Sequence, residues 1–271
     1  MRTLQNINMD SKYPILDHYS HEKPTKQALV DIFKGEWSSS LPSIKNEQII
    51  SGHAGLFDDP RIHSLNNKVP LSGKKILELG PLEAGHTYMM HEMGAEEITA
   101  IEANNRALLK CLIVKEIYKL NRAQFLFGDV INYLKDCTEK FDVCVASGIL
   151  YHMTEPAMFL ELCSRVSDKL FIWSHYADAE VIKTHPVLSE KIKSTEEQVY
   201  RGMKYTEYQY EYATALGWAG FCGGADSNCR WLTKETILEI LKMNGFKNIH
   251  VFFDDLSNNP NGPQICLLAE K

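Results

Sequence analysis

The sequence predicts an α/β fold built on a parallel sheet. Between residues 73 and 177, short apolar strands alternate with helical segments. Within that zone, residues 74–104 read as strand, Gly-bearing turn, helix and strand, ending on the acid Glu102. The same alternation resumes after residue 232. Short strands separated by helices imply parallel pairing through right-handed crossovers.

Residues 1–72 are polar and mixed, punctuated by Gly35, Pro42, Gly52, Gly55, Pro60 and Pro70, and read as an N-terminal cap. The amphipathic stretch Lys26–Phe33 predicts a helix there. The strands that follow are Lys75–Leu79, Ile98–Ile101, Gln124–Phe127, Phe141–Ala146 and Leu170–Trp173. Helices are expected near 86–93, 104–119, 130–137 and 155–166, the last with Thr154 as N-cap and Pro156 in its first turn. Residues 178–232 break the rhythm. They carry Tyr200, Tyr205, Tyr208, Tyr210, Tyr212, Trp218, Phe221 and Trp231 and few strand signals, and read as an aromatic lid inserted after the fifth strand. Helix Lys234–Met243 and strands Asn248–Phe253 and Gln264–Ala269 complete the chain, so that 73–177 and 233–271 form one domain around the insertion.

A chain of 271 residues with 44% hydrophobic and 24% charged residues has the composition of an ordinary globular protein. Its formal net charge of −6 lacks the basic balance of a dedicated nucleic-acid binder. The segment MRTLQNINMDSKYP has no apolar signal region and no long apolar run follows, so a cytoplasmic location without membrane contact is expected. The seven cysteines are scattered without a CxxC pair, and reduced thiols with no metal site are expected.

The turn Gly80–Gly85 admits several ligands. GPLEAGHT approaches a phosphate loop, but His86 stands where the lysine belongs and Glu83 would put a negative charge among phosphates. A dinucleotide turn needs a second glycine where Leu82 stands. A turn with no ligand leaves Glu78 and Glu102 unexplained. S-adenosylmethionine has a positive sulfonium and no phosphate, so Glu78 beside the turn is favourable. Glu102 can accept from both ribose hydroxyls, Asp129 from the adenine amine, and Ser147–Gly148 can pass beneath the methionine part. All stand at the carboxyl ends of parallel strands, where such sheets bind ligands.

ILELGPLEAG, AIEAN, FGDV and FDVCVASGILYHM together resemble successive motifs of the class I S-adenosylmethionine-dependent methyltransferases over residues 73–177 and again at 233–269. That resemblance implies a Rossmann-like sheet of seven strands, the last antiparallel, with the cofactor held by Glu78, Gly80, Pro81, Gly85, His86, Glu102, Ala103, Asn104, Asp129, Val130, Ser147 and Gly148. The family's turn, roughly ExGxGxG, is here Glu78-Leu-Gly80-Pro-Leu-Glu83-Ala-Gly85, and its bulkier middle predicts a different backbone path. The LYH of Leu150–His152 resembles small-molecule and sugar methyltransferases and the tRNA wobble-uridine carboxymethyltransferase group; FKGEW at 33–37 and SNCRWLTKETI at 227–237 resemble a bacterial subgroup.

Methyl transfer needs alignment, exclusion of water and removal of the acceptor's proton. His152, just after the fourth strand, is the first candidate base, and His175, at the end of the fifth, the second. Tyr151, Trp37 and Trp231 are candidate substrate contacts, and Arg230 a candidate for an acidic group on the substrate. The leading expectation is O- or N-methylation of a small metabolite. A tRNA-modifying alkyltransferase and a catalytically idle cofactor-binding protein are the alternatives. Oligomeric state is not legible in the sequence.

Overall fold

The computed structural model describes residues 19–45, 47–218, 220–256 and 260–271. The first 18 residues of the expected cap lie outside them. Helix α1 (Lys26–Asp31), capped by Thr25, and α2 (Pro60–Lys68), capped by Asp59, precede the sheet. Then come β1 (Lys75–Leu79), α3 (Gly85–Glu92), β2 (Glu97–Glu102), α4 (Asn105–Tyr118), β3 (Ala123–Phe127), α5 (Val130–Asp136), β4 (Val143–Ser147), α6 (Pro156–Val166) and β5 (Lys169–His175). Helices α7 (Ala179–Thr184) and α8 (Leu188–Lys191), strands β6 (Ile192–Tyr200), β7 (Met203–Glu211) and β8 (Asn228–Trp231), then α9 (Lys234–Met243), β9 (Asn248–Asp255) and β10 (Gln264–Glu270) follow.

Seven strands form one sheet in the order β3-β2-β1-β4-β5-β10-β9. The pairs of β1 with β2 and β4, of β2 with β3 and of β4 with β5 are parallel, while β10 runs antiparallel to both β5 and β9. The expected seven-stranded sheet with its last strand reversed is borne out. Alternation along each strand sends side chains to two cores. Leu77, Leu79, Cys144, Ala146, Leu170 and Ile172 pack with Phe159, Leu160, Cys163, Ile237 and Leu241 from α6 and α9. Ile76, Ile98, Val143, Val145 and Phe171 pack with Ile62, Leu65, Met90 and Val114 from α2, α3 and α4, joined by Phe33, Trp37, Leu41 and Phe57.

Two local expectations change. Helix α6 begins at Pro156 with Glu155, not Thr154, in the N-cap position and without a side-chain cap bond. The stretch expected to hold few strands forms a three-stranded antiparallel sheet, β6-β7-β8. KSTEEQVY and MKYTEYQYE mix aromatic and β-branched residues with charges on both faces, so the apolar run that marks a buried strand is missing. Arg201 and Gly202 close this hairpin with φ of +47° and +87°, the conformation of a two-residue hairpin turn. The stretch leaves and rejoins the large sheet at one place, where the Ala177 amide donates to Leu232 O at 2.8 Å and Ala177 bridges Thr233.

All seven cysteines are unpaired. Among the described residues no helix is long and apolar enough to cross a membrane.

Candidate functional site

A cavity of about 540 Å³ opens at the carboxyl ends of the parallel strands. The strand order lays out its wall. Phe127 ends β3 and Asp129 follows it, Glu102 ends β2 with Ala103 to Asn105 after it, Gly80 to Leu82 follow β1, Ser147 ends β4 with Gly148, Ile149 and Tyr151 to Glu155 after it, and Trp173 lies near the end of β5. Arg61 from α2 and Cys222 and Gly224 to Asp226 from the stretch before β8 complete it.

Glu102 is 7% exposed. One carboxylate oxygen accepts from the Asn104 amide at 2.8 Å and the other from the Leu82 amide at 3.1 Å. Each oxygen keeps a lone pair for a further donor. Burial raises its pKa, and the backbone donors act against that rise. Asp129 caps α5 through the Asn132 amide at 2.8 Å with one oxygen, leaving the other for the cavity. Asn104 caps α4 and donates its side-chain amide to Phe221 O at 2.9 Å, tying the end of β2 to the covering segment.

The turn keeps a glycine-type path. Counting ExGxGxG from Glu78 puts glycines at 80, 82 and 84; here Gly80, Leu82 and Ala84 have φ of +72°, +56° and +62°. The Leu82 amide is held by Glu102 and the Ala84 amide by Pro81 O. A non-glycine residue held there costs on the order of 1 kcal/mol. Gly85 answers a packing demand: a Cβ would lie 2.6 Å from Leu56 O.

Glu83 does not face the cavity. Its carboxylate is fully buried and accepts from the amides of Ser38 (2.9 Å) and Ser39 (2.7 Å) and from Lys110 Nζ (2.9 Å). The charge that argued against phosphate is neutralised beneath the turn. Glu78 is also off the wall, 2% exposed, accepting from Thr87 Oγ1. Burial, with the nearby charge of Glu102, raises its pKa from 4.5 to about 7 although the Thr87 bond opposes this. The folded state therefore holds this proton where the unfolded chain has released it. The stability it contributes is complete below about pH 4.5 and lost as pH rises through about 7, a change of about 3 kcal/mol. Glu78→Gln should flatten that fall in urea denaturation at pH 5 and pH 8; a variant that loses as much stability as wild type would refute it.

At the β5 side, Asp59 is 3% exposed and accepts from Arg61 Nε at 2.9 Å and His86 Nε2 at 2.9 Å, and it also pairs with Arg61 Nη2. Those donors hold its carboxyl well below the usual range despite burial. The Arg61 guanidinium lies 4.0 Å from the Trp173 ring centroid, with Nη1 left for a ligand.

Of the sequence candidates, Gly80, Pro81, Gly85, His86, Glu102, Ala103, Asn104, Asp129, Val130, Ser147, Gly148, Tyr151 and His152 line the cavity. Glu78, His175, Trp37, Arg230 and Trp231 do not. His175 is 6% exposed, bonds Pro263 O through Nδ1 at 3.1 Å and stacks on Trp231 at 5.6 Å. Trp231 stacks on Tyr210 from its other side at 4.9 Å. Arg230 bonds Gln209 Oε1 at 2.8 Å and approaches Glu196. Trp37 packs in the N-terminal core and donates to Val30 O at 2.8 Å. Arg61, Trp173 and the segment 222–226 were not singled out by the sequence. The Asp59-Pro60 start signal places Arg61 in a first helical turn, but nothing local shows which strand end that turn meets.

The family model described as "Methyltransferase domain" matches residues 70–245. The chain belongs to the methyltransferase-domain family. The enzyme class and the family resemblance read from the motifs are borne out at that level. The methyltransferase is similar in fold to the N-terminal domain of EvdMO1, solved in the presence of SAH and D-fucose, with a TM-score of 0.67 and 19% identity over 90% of this chain and 94% of that one. It is also similar to magnesium protoporphyrin IX methyltransferase from Synechocystis PCC 6803 with bound SAH (TM-score 0.52, 14% identity, 79% and 81% covered). In sequence, the tRNA U34 carboxymethyltransferase of Idiomarina loihiensis is 30% identical over 94 residues, 34% of this chain and 28% of that protein's length.

Proposed function

We propose that this methyltransferase moves the methyl group of S-adenosylmethionine to a hydroxyl oxygen of a small acceptor held under the segment 222–226. The chemistry of the wall fits that donor. Glu102 has lone pairs for two ribose hydroxyls, and Asp129 has an oxygen for an adenine amine. Gly80–Leu82 and Ser147–Gly148 would take the methionine chain; Ser147 Oγ is buried with no partner among the described residues. Arg61 Nη1 would take the carboxylate at its end. Bound there, the cofactor supplies an electrophilic methyl carbon and a thioether leaving group.

The observation that carries the choice of acceptor is His152. It lines the cavity beside Tyr151, and burial, with the nearby His175, lowers its pKa to about 3. Its ring is neutral at neutral pH, with one nitrogen bare and able to accept a hydrogen bond. A histidine with its pKa pushed down by burial is a poor base toward an alkylammonium, whose pKa is about 10. It can take the proton of a hydroxyl that becomes strongly acidic as its oxygen gains the methyl group. The Tyr151 phenol, raised far above its ordinary pKa by burial, stays protonated and can donate to the same acceptor.

Labelled S-adenosylmethionine incubated with a lysate, then separated into metabolite, RNA and protein fractions, tests this. Label is expected in the metabolite fraction; label confined to RNA would replace the reading with the tRNA-directed one. With the acceptor in hand, His152→Ala should lower kcat about 100-fold. Full activity would remove His152 from the reaction.

A further inference from the structure

We infer that Tyr212 is a positioning residue which fixes His152 as the Nδ1–H tautomer, leaving Nε2 as the acceptor, and does so only while segment 221–226 is seated over the cavity. The inference rests on the role given to His152 above. Tyr212 OH lies 2.8 Å from His152 Nδ1 and also bonds Gly223 O. A carbonyl can only accept, so the single phenol proton goes to Gly223 O. The hydroxyl must then accept from His152, which places the imidazole's one proton on Nδ1. The remaining nitrogen, Nε2, has no hydrogen-bond partner among the described residues, and the histidine lines the cavity. The partner of one ring nitrogen sets the state of the other.

The competing donors around this bond do not change its direction. Tyr212 is 5% exposed, and burial keeps its phenol protonated. The Cys229 thiol contacts both the Tyr212 hydroxyl and Tyr210 O, but sulfur is a weak acceptor and Gly223 O is the better partner for the phenol proton. Phe221 and Tyr210 pack edge-on against the Tyr212 ring at 4.9 and 5.8 Å, which fixes its plane.

Gly223 is part of the cover. Its neighbours Cys222 and Gly224 to Asp226 line the cavity, and Phe221 O is held by Asn104. If that segment lifts, Tyr212 loses Gly223 O. Its proton is then free to go to Nδ1, and the imidazole proton moves to Nε2, the nitrogen needed bare. Closure and a proton-accepting His152 are one event. Gly224 makes the seating possible: φ is +119°, and a Cβ there would lie 3.2 Å from His152 O.

Nitrogen-15 NMR of the full-length, histidine-labelled protein with S-adenosylhomocysteine reads the tautomer directly. His152 should show a protonated Nδ1 and a bare Nε2 in wild type, and the reverse in Tyr212→Phe. Gly224→Ala, whose added Cβ would lie 3.2 Å from His152 O and 3.6 Å from the Tyr212 hydroxyl, should displace the cover and give the same reversal. A protonated Nε2 in wild type, or a bare Nε2 in both variants, would overturn the inference. With an acceptor, Tyr212→Phe should lower kcat at least tenfold, leave KM for the cofactor unchanged, and have no further effect in a His152→Ala background. Full activity of His152→Ala would sink the base reading alone, since the tautomer signal stands or falls without turnover.

Discussion

Lys110→Met should cost about 3–5 kcal/mol of folding stability, the largest expected loss from any single side chain near the site. Lys110 is 4% exposed and its Nζ donates to Glu83 at 2.9 Å and to Glu36 O at 2.6 Å. Methionine keeps most of the volume, so the cavity contribution is small. What it removes is the only cation paired with Glu83 among the described residues. The carboxylate would keep the two amides of Ser38 and Ser39 but no counter-charge in a dry interior. Adding Glu83→Gln to Lys110→Met should recover part of the loss, because an uncharged amide can still accept one of those N–H groups. Urea denaturation of the two single variants and the double decides it. A loss below about 1 kcal/mol for Lys110→Met would mean that the pair is solvated and holds nothing.

The second large effect is on the cofactor. Glu102→Ala should weaken S-adenosylhomocysteine binding by about 100-fold or more. Two hydrogen bonds to a charged acceptor contribute about 1.5–3 kcal/mol each, and about 1.4 kcal/mol is a factor of ten. The same carboxylate holds the amides of Leu82 and Asn104, so its removal also frees the left-handed turn at Leu82. Titration calorimetry on wild type and variant measures the change. Equal affinity would refute the role of Glu102 at the ribose.

The periodic parts of the fold were readable because each strand of the large sheet is a short apolar run bounded by polar turns. The cavity wall was readable for a related reason: its groups stand within a few residues of a strand end, and Glu102, Asp129 and Ser147 therefore fall where the alternation puts them. Glu78 was misplaced by the same logic, since its side chain points under the turn toward Thr87. Arg61 and Tyr212 were out of reach. They meet the cavity through contacts between segments distant in the chain, such as Tyr212 with His152 or Arg61 with Trp173, and no local pattern encodes those. Glu83 shows the converse. Read alone it is a charge in a turn; only the packing of α4 and residues 36–39 gives it partners.

The bond between Ala177 and Leu232 means that the chain leaves the large sheet and returns to it at a single point. Everything between, the small sheet and the segment over the cavity, is one continuous insertion that also rests on the large domain through Asn104, His152 and Glu161. Such a piece can lengthen, shrink or be replaced during evolution without disturbing the strand ends that carry Glu102, Asp129 and Gly80. The cover over the cavity is thereby written apart from the strand ends, while His152 and Tyr151 stay with β4.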